Sequence, residues 1–420
     1  MTAAEGKPRP ARRRIAIIGA GPIGVECALY AARLGHAVDV YEAGEAGQHL
    51  SEWGHVRMFS PWEMNVSRLG LEVLSARGEA VDFPPAACPT GLEYRRRYLL
   101  PLLRSPFLEG CLHKRARVVS VGRARVRKNE LIGAPERAAH PFRLLIDAGE
   151  GRERAVEADI VIDASGVYSR HNWMGSGGLP AVGERALEAR VEYGIPDVLG
   201  EQDGLYGGRR TLVIGSGHSA ATTALALRDL AASRTGTRVL WLMRGAGGDP
   251  YAPLPGDPLP ERADLVARAA LLLRGGDPVL EWMRGWVVEE VREAHPGAFE
   301  LVLSRGAERR RERVERIVAN VGHRPDRALY EELQVHECYA TQGPMRLAAA
   351  LLGAPSADCL AQKSHGVETL RSPEPDFYIL GVKSYGRTPN FLIRIGLAQV
   401  RELFQAIEND AALDLYAAAA

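Results

Sequence analysis

The chain has 420 residues but only five lysines, at Lys7, Lys114, Lys128, Lys363 and Lys383. Arginine carries nearly all the positive charge, and 53 basic residues against 52 acidic ones leave a net charge of +1. Such a balance gives no field to draw nucleic acid or an anionic membrane. The arginine bias reads as coding bias of a GC-rich genome rather than phosphate recognition. Cysteine is scarce too: Cys27, Cys88, Cys111, Cys338 and Cys359 are scattered, with no C-x-x-C pair. That spacing argues against a disulfide framework and against a zinc site, so no metal is expected. No apolar run approaches the roughly 18 residues of a membrane span. The Met1–Arg14 segment is polar and basic, and Ile15–Ile18 turns at once at Gly19, so no signal h-region follows. A cytoplasmic location is expected. With 46% hydrophobic residues at this length, the composition is that of an ordinary globular protein of two domains.

What is abundant is glycine, and two of its clusters carry the chemistry. Arg14-Ile-Ala-Ile-Ile18-Gly19-Ala20-Gly21-Pro22-Ile23-Gly24 is an apolar strand running into a tight turn and an Ala-rich helix. Thr211-Leu-Val-Ile214-Gly215-Ser216-Gly217-His218-Ser219-Ala220 repeats the arrangement near the middle of the chain. In such a turn the glycines let backbone N–H groups approach a pyrophosphate at a helix N-terminus, where the dipole favours negative charge. One such loop is weak evidence. Two, each behind a strand and before a helix, point to two dinucleotides held at once. After the first helix, His36–Tyr41 reads as a second strand closed by Glu42, where the fold places an acid on a ribose hydroxyl. After the second helix, Thr237–Met243 is closed by Arg244 instead.

Between these landmarks, residues 48–110 read as irregular and rich in aromatics and proline, with helical patches near Gly91–Leu103. They either line a pocket over a cofactor or pack as a loop insert. Residues 112–162 alternate charged and apolar positions, which suggests a β-meander, its arginines (Arg115, Arg117) on a solvated face. Ala158–Gly166 is a buried strand ending in small residues. Val287–Leu303 reads as hairpin strands, Arg316–Val321 and Phe377–Val382 as further strands, and Leu392–Ile407 as a closing helix.

This pattern resembles the two-dinucleotide-binding-domain flavoproteins, a superfamily that includes pyridine nucleotide-disulfide reductases and class B flavin monooxygenases. Four anchors besides the first loop carry the likeness: Ala164-Ser165-Gly166, Leu179-Pro-Ala-Val-Gly-Glu184, Ala319-Asn-Val-Gly-His-Arg-Pro-Asp326 and Gly381-Val-Lys-Ser-Tyr385. The resemblance implies an α/β fold in which an NADPH-binding Rossmann-like domain (209–320) is inserted into an FAD-binding Rossmann-like domain (11–170 and 321–410). It implies that Gly19, Ala20, Gly21, Pro22, Ile23 and Gly24 cradle the FAD pyrophosphate, with Glu42 and Ala43 at its adenosine ribose. Trp53 and Ser60 would belong to the wall beside the isoalloxazine, and Ala164, Gly166, Gly381 and Lys383 would complete the flavin site. Gly215, Ser216, Gly217, His218, Ser219 and Ala220 would hold the nicotinamide dinucleotide. Arg244 there matches a 2′-phosphate, which favours NADPH over NADH.

The departures bear on activity. No C-x-x-C dithiol is present to relay electrons, and the Baeyer–Villiger fingerprint is not matched around Gly166–Trp173. The expected function is an NADPH-dependent FAD monooxygenase that uses O2 on an N- or S-centre of a small molecule. Lys383, Tyr385 and Arg387 are the catalytic candidates, with Ser384 and Asn390 as further donors. The rival expectations are a flavin reductase acting on a quinone, disulfide or partner protein, and a flavin-binding redox sensor. No nucleic acid or membrane partner is expected, and a homo-oligomer is left open.

Overall fold

The computed structural model of the chain describes residues 12–79, 82–353 and 364–417. Cys359 and Lys363 lie outside the described residues, as does most of the polar N-terminal segment. Two parallel sheets organise the rest. Their strands, in chain order, are β1 (Arg14–Ile18), β2 (Ala37–Tyr41), β3 (Leu112–His113), β4 (Ile160–Asp163), β5 (Arg210–Ile214), β6 (Arg238–Met243), β7 (Leu280–Arg284), β8 (Arg316–Ala319) and β9 (Phe377–Ile379). The first sheet has the order β9-β4-β1-β2-β3 and the second β7-β6-β5-β8. β9 returns to the first sheet after the whole second sheet has been made, so the second is topologically an insertion in the first. The β1, β4, β5 and β6 strands are near-continuous Ile, Val and Leu because both faces of each parallel sheet are buried, one under helices and the other under an antiparallel meander.

Helix α1 (Pro22–Arg33) crosses from β1 to β2, and α2 (His218–Leu230) from β5 to β6. The α3 helix (Pro260–Leu273) packs beside α2, and α4 (Ile393–Ile407) beside α1. The α4 helix approaches so closely that a Cβ on Gly396 would overlap the Ile23 side chain. Two antiparallel meanders complete the domains: Arg117–Arg123, Phe142–Asp147 and Glu153–Ala158 on the first, and Val287–His295, Ala298–Arg305 and Glu308–Val314 on the second.

Three local readings change. Within 48–110 the helical patches expected near Gly91–Leu103 are a near-continuous run with one π-type turn at Arg95–Leu99, but the stretch before them is not irregular: it forms Gln48–Glu52, Trp62–Asn65 and Arg68–Ala76. The proline and aromatic content that masked these helices is spent in a stack of Trp62 on Phe83 and Tyr94. Next, β9 stops at Ile379 rather than Val382, because Gly381 takes φ +70° and starts a single 3₁₀ turn, Gly381–Tyr385. Finally, Arg115 and Arg117 are exposed as expected, but two arginines of the same region are not. Arg123 and Arg137 are buried on the Glu374 carboxylate, at 2.8 and 2.9 Å, which clips the first meander to the segment before β9.

Candidate functional site

The two glycine loops have the same construction. Gly19 (φ +100°) donates its N–H to the Tyr41 carbonyl, 2.8 Å, and Gly215 (φ +138°) donates to the Leu242 carbonyl, 3.0 Å. Each first glycine is obligatory for space as well as for φ. A Cβ on Gly19 would lie 2.8 Å from Ser165 Cα, and one on Gly215 would overlap the Asn320 carbonyl oxygen. At the third position a Cβ on Gly24 would overlap the Gly19 carbonyl, whereas Ala220 is accommodated in the second loop. The middle glycines differ from both: neither Gly21 nor Gly217 has anything within 4 Å of a would-be Cβ. Packing within the chain therefore does not require glycine at either position. Both are N-caps whose helices have no side-chain cap and no acidic residue in the first turn. Uncapped N-termini leave N–H donors for an anion. The residues present thus fit a pyrophosphate at each loop.

Sequence places Glu42 and Arg244 at corresponding positions, one residue beyond β2 and β6, and the structure separates their roles. The Glu42 carboxylate accepts from the Ala20 N–H (2.8 Å) and the Gly44 N–H (2.9 Å), so it is fixed against the first loop, beside exposed Ala43. Arg244 is exposed and makes no hydrogen bond or ion pair among the described residues. It stands free at the end of β6. Beneath the second loop, Trp241 Nε1 donates to the Gly215 carbonyl (2.9 Å) and the Tyr251 hydroxyl to the Gly217 carbonyl (3.2 Å).

The carboxyl ends of β4 and β9 meet beside the first loop, where α/β sheets bind ligands. Ala164 abuts Gly19, and Gly166 (φ +74°) faces Val382. Here the expectation for Lys383 is corrected. Its ammonium is neither open to a cofactor edge nor on the surface: it is 1% exposed and donates to Asp163 Oδ2 (2.6 Å) and Ser165 Oγ (3.0 Å). The Tyr330 ring lies 5.3 Å from its nitrogen. Two of its three donors are thereby engaged and the charge sits against a ring, so the lysine joins β4 to the turn after β9. Asp163 was missed in the sequence; the signal was a carboxylate inside the apolar run Ile-Val-Ile-Asp, which burial obliges to find a partner. Ser384 is likewise internal, donating to the Gly381 carbonyl (2.7 Å) and accepting from Gln399 (3.0 Å).

Tyr385 is buried edge-on to Phe391, and burial pushes its phenol up to about 12. Its hydroxyl has no partner among the described residues. Arg387 is exposed, with Nε 3.0 Å from Gln342. Trp53 packs on Gly91, whose would-be Cβ falls 2.6 Å from the indole, and the indole Nε1 is buried with no acceptor among the described residues. Ser60 is spent on Asn65, 2.8 Å. These last two brace the 53–65 segment.

The chain passes between the domains on two paired extended segments. Asn172 donates its N–H to Gly322 (2.9 Å) and Arg324 to Arg170 (2.8 Å). His323 on one of them lies against Tyr168, ring centroids 4.8 Å apart. Burial, helped by His171 and His49, pushes its imidazole down to about 4. Buried Glu184 holds the entry to the second domain, accepting from Met174, Ala181 and Tyr193 at 2.7–2.9 Å. Among the described residues there is no cluster of His, Cys, Asp or Glu able to hold a metal, and no helix long and apolar enough to cross a membrane.

Comparison with solved structures matches this whole arrangement. The bacillithiol disulfide reductase Bdr of Bacillus cereus superposes with a TM-score of 0.67 at 19% identity, over 95% of this chain and 99% of that one. The fold is that of the two-dinucleotide-binding flavoproteins. The desferrioxamine-pathway cadaverine monooxygenase DfoA of Erwinia amylovora, solved with FAD bound, gives 0.64 at 14% identity over 98% and 99%. Thioredoxin reductase of Lactococcus lactis gives 0.57 at 16% over 94% and 97%. Residues 14–144 match the family model described as FAD dependent oxidoreductase. No curated protein matches the chain. The first loop, the end of β4 and the turn after β9 thus lie together at the carboxyl end of the first sheet, and the second loop and Arg244 at that of the second.

Proposed function

We propose that this chain is an FAD-dependent oxidoreductase that takes electrons from NADPH and, in its favoured reading, is a cytoplasmic monooxygenase acting on a nitrogen or sulfur centre of a small molecule. One observation carries the cofactor assignment: two uncapped glycine loops of equal build, followed by Glu42 at one strand end and by a free Arg244 at the other. A carboxylate fixed beside the first loop suits a ribose diol, and an unpaired guanidinium suits the 2′-phosphate that distinguishes NADPH. Bound flavin supplies the two-electron chemistry and the activation of O2. The protein binds, orients and shields. Gly21 and Gly217 would let backbone donors reach each pyrophosphate, and the braced 53–65 segment and the 381–387 turn would have to keep water from the reduced flavin.

The preference for oxygen rests on the cysteines. Cys27 is fully buried in α1, its thiol pushed up by burial, and none of the described cysteines is joined to another. Electrons then leave toward O2 or a diffusing acceptor. NADPH consumption with and without air, with peroxide and oxygen uptake recorded, tests the choice. Consumption that needs air supports the monooxygenase. Negligible reoxidation by air with fast reoxidation by a quinone or disulfide establishes the reductase instead.

A further inference from the structure

The segment after the first domain's short helix Gln48–Glu52 touches the second domain at the phosphate loop itself. It is a rigid support. Met58 donates its N–H to Pro89 (2.8 Å), Gly91 donates to Val56 (3.1 Å), and Arg57 Nη1 reaches the Cys88 carbonyl at 2.5 Å. Below it, Asn65 Nδ2 donates to the carbonyls of Ser60 (2.8 Å) and Pro61 (2.9 Å). From this support two alternate side chains reach across. Arg57 lies 3.9 Å from Glu261 on α3, an exposed pair that contributes little. Phe59 does more: its ring meets His218 edge-to-face, centroids 5.2 Å apart at 76°. His218 is the first residue of α2, directly after open, uncapped Gly217.

We infer that Phe59 is a positioning residue for the nicotinamide dinucleotide, acting across the domain boundary through His218, so that the second nucleotide site is completed by the first domain. The inference rests on the reading that the Gly215–Ala220 loop takes NADPH. An imidazole at the first helical position stands beside the pyrophosphate's docking point, and a ring clamped by a rigid neighbour need not be ordered at the moment of binding. Edge-to-face pairs are worth enough to be measured. Without Phe59 the imidazole swings freely and the nucleotide must order it.

The test uses FAD-loaded full-length protein and the variants Phe59→Ala, Phe59→Tyr, His218→Ala and the Phe59→Ala/His218→Ala double variant, with Glu261→Gln as a control for the neighbouring ion pair. Readouts are FAD content, KM and kcat for NADPH, and NADP+ affinity by titration of flavin absorbance. Phe59→Ala should keep its FAD and raise KM for NADPH by about two- to tenfold, with kcat little changed. Phe59→Tyr should restore it, Glu261→Gln should be near wild type, and in the His218→Ala background Phe59→Ala should have no further effect. An unchanged KM in Phe59→Ala, additive effects in the double variant, or loss of FAD would overturn the inference. A wild-type protein that binds no nicotinamide nucleotide would instead remove the underlying cofactor reading, which separates the two failures.

Discussion

Replacing Lys383 by methionine separates a structural role from a chemical one. The ammonium and the Asp163 carboxylate are 1% and 0% exposed and 2.6 Å apart. Removing the lysine leaves Asp163 Oδ2 without its donor, while Oδ1 still accepts from the Ser165 N–H (3.1 Å) and hydroxyl (2.6 Å). Breaking a buried pair by deleting one partner costs about 3–5 kcal/mol, because the other charge stays desolvated. The surviving bonds at Oδ1 place Lys383→Met toward the lower end of that range. Urea unfolding of the apoprotein, followed by a signal from the first domain, reads the loss directly, free of the stabilisation that bound FAD adds. Asp163→Asn in the same chain removes the stranded charge and should recover part of the loss. FAD-saturated Lys383→Met should then turn over within a few-fold of wild type, since its side chain touches Asp163, Ser165 and Tyr330. A stability change below about 1 kcal/mol would refute the claim that the pair is desolvated, and a hundredfold fall in kcat at full FAD occupancy would return Lys383 to the reacting centre.

Other outcomes are as specific. Gly21→Val should fold, since no protein atom lies within 4 Å of the new Cβ, yet purify without flavin; retention of FAD would disprove the close backbone approach. Arg244→Ala should weaken NADPH by roughly 1.5–3 kcal/mol, one charge-assisted contact, and leave NADH use unchanged; equal loss for both cofactors would show that Arg244 does not touch the 2′-phosphate. His323 has its pKa lowered from 6.5 to about 4 on folding, so below 6.5 the unfolded chain takes up the proton first. Its contribution is therefore complete above pH 6.5 and is lost as pH falls toward 4. His323→Gln should flatten the stability profile across that window, and an unchanged slope would assign the dependence to other groups.

The two parallel sheets, the insertion of one domain into the other and both phosphate loops were legible in the chain. Strand, glycine turn and helix are local features: φ near +100° at Gly19 and the 3.6-residue period of α1 are set within a dozen residues. The helical run Gly91–Leu103 was legible, but the short helices before it were not, because short helices owe their stability to packing rather than to propensity. Here the packing is an aromatic stack drawn from Trp62, Phe83 and Tyr94. The fate of Lys383 was undecidable for a related reason. Whether an ammonium after a strand end faces water, a cofactor or a carboxylate depends on what lies across the sheet, and Asp163 is 220 residues away in the chain. The same holds for Phe59, whose partner His218 belongs to the other domain. Local sequence determined the two glycine turns and their uncapped helix N-termini, since backbone donors and their geometry are written into consecutive residues. Tertiary structure alone decided which charged and aromatic side chains stay exposed and which are consumed in tying the segments together, because burial and pairing are properties of segments far apart in sequence.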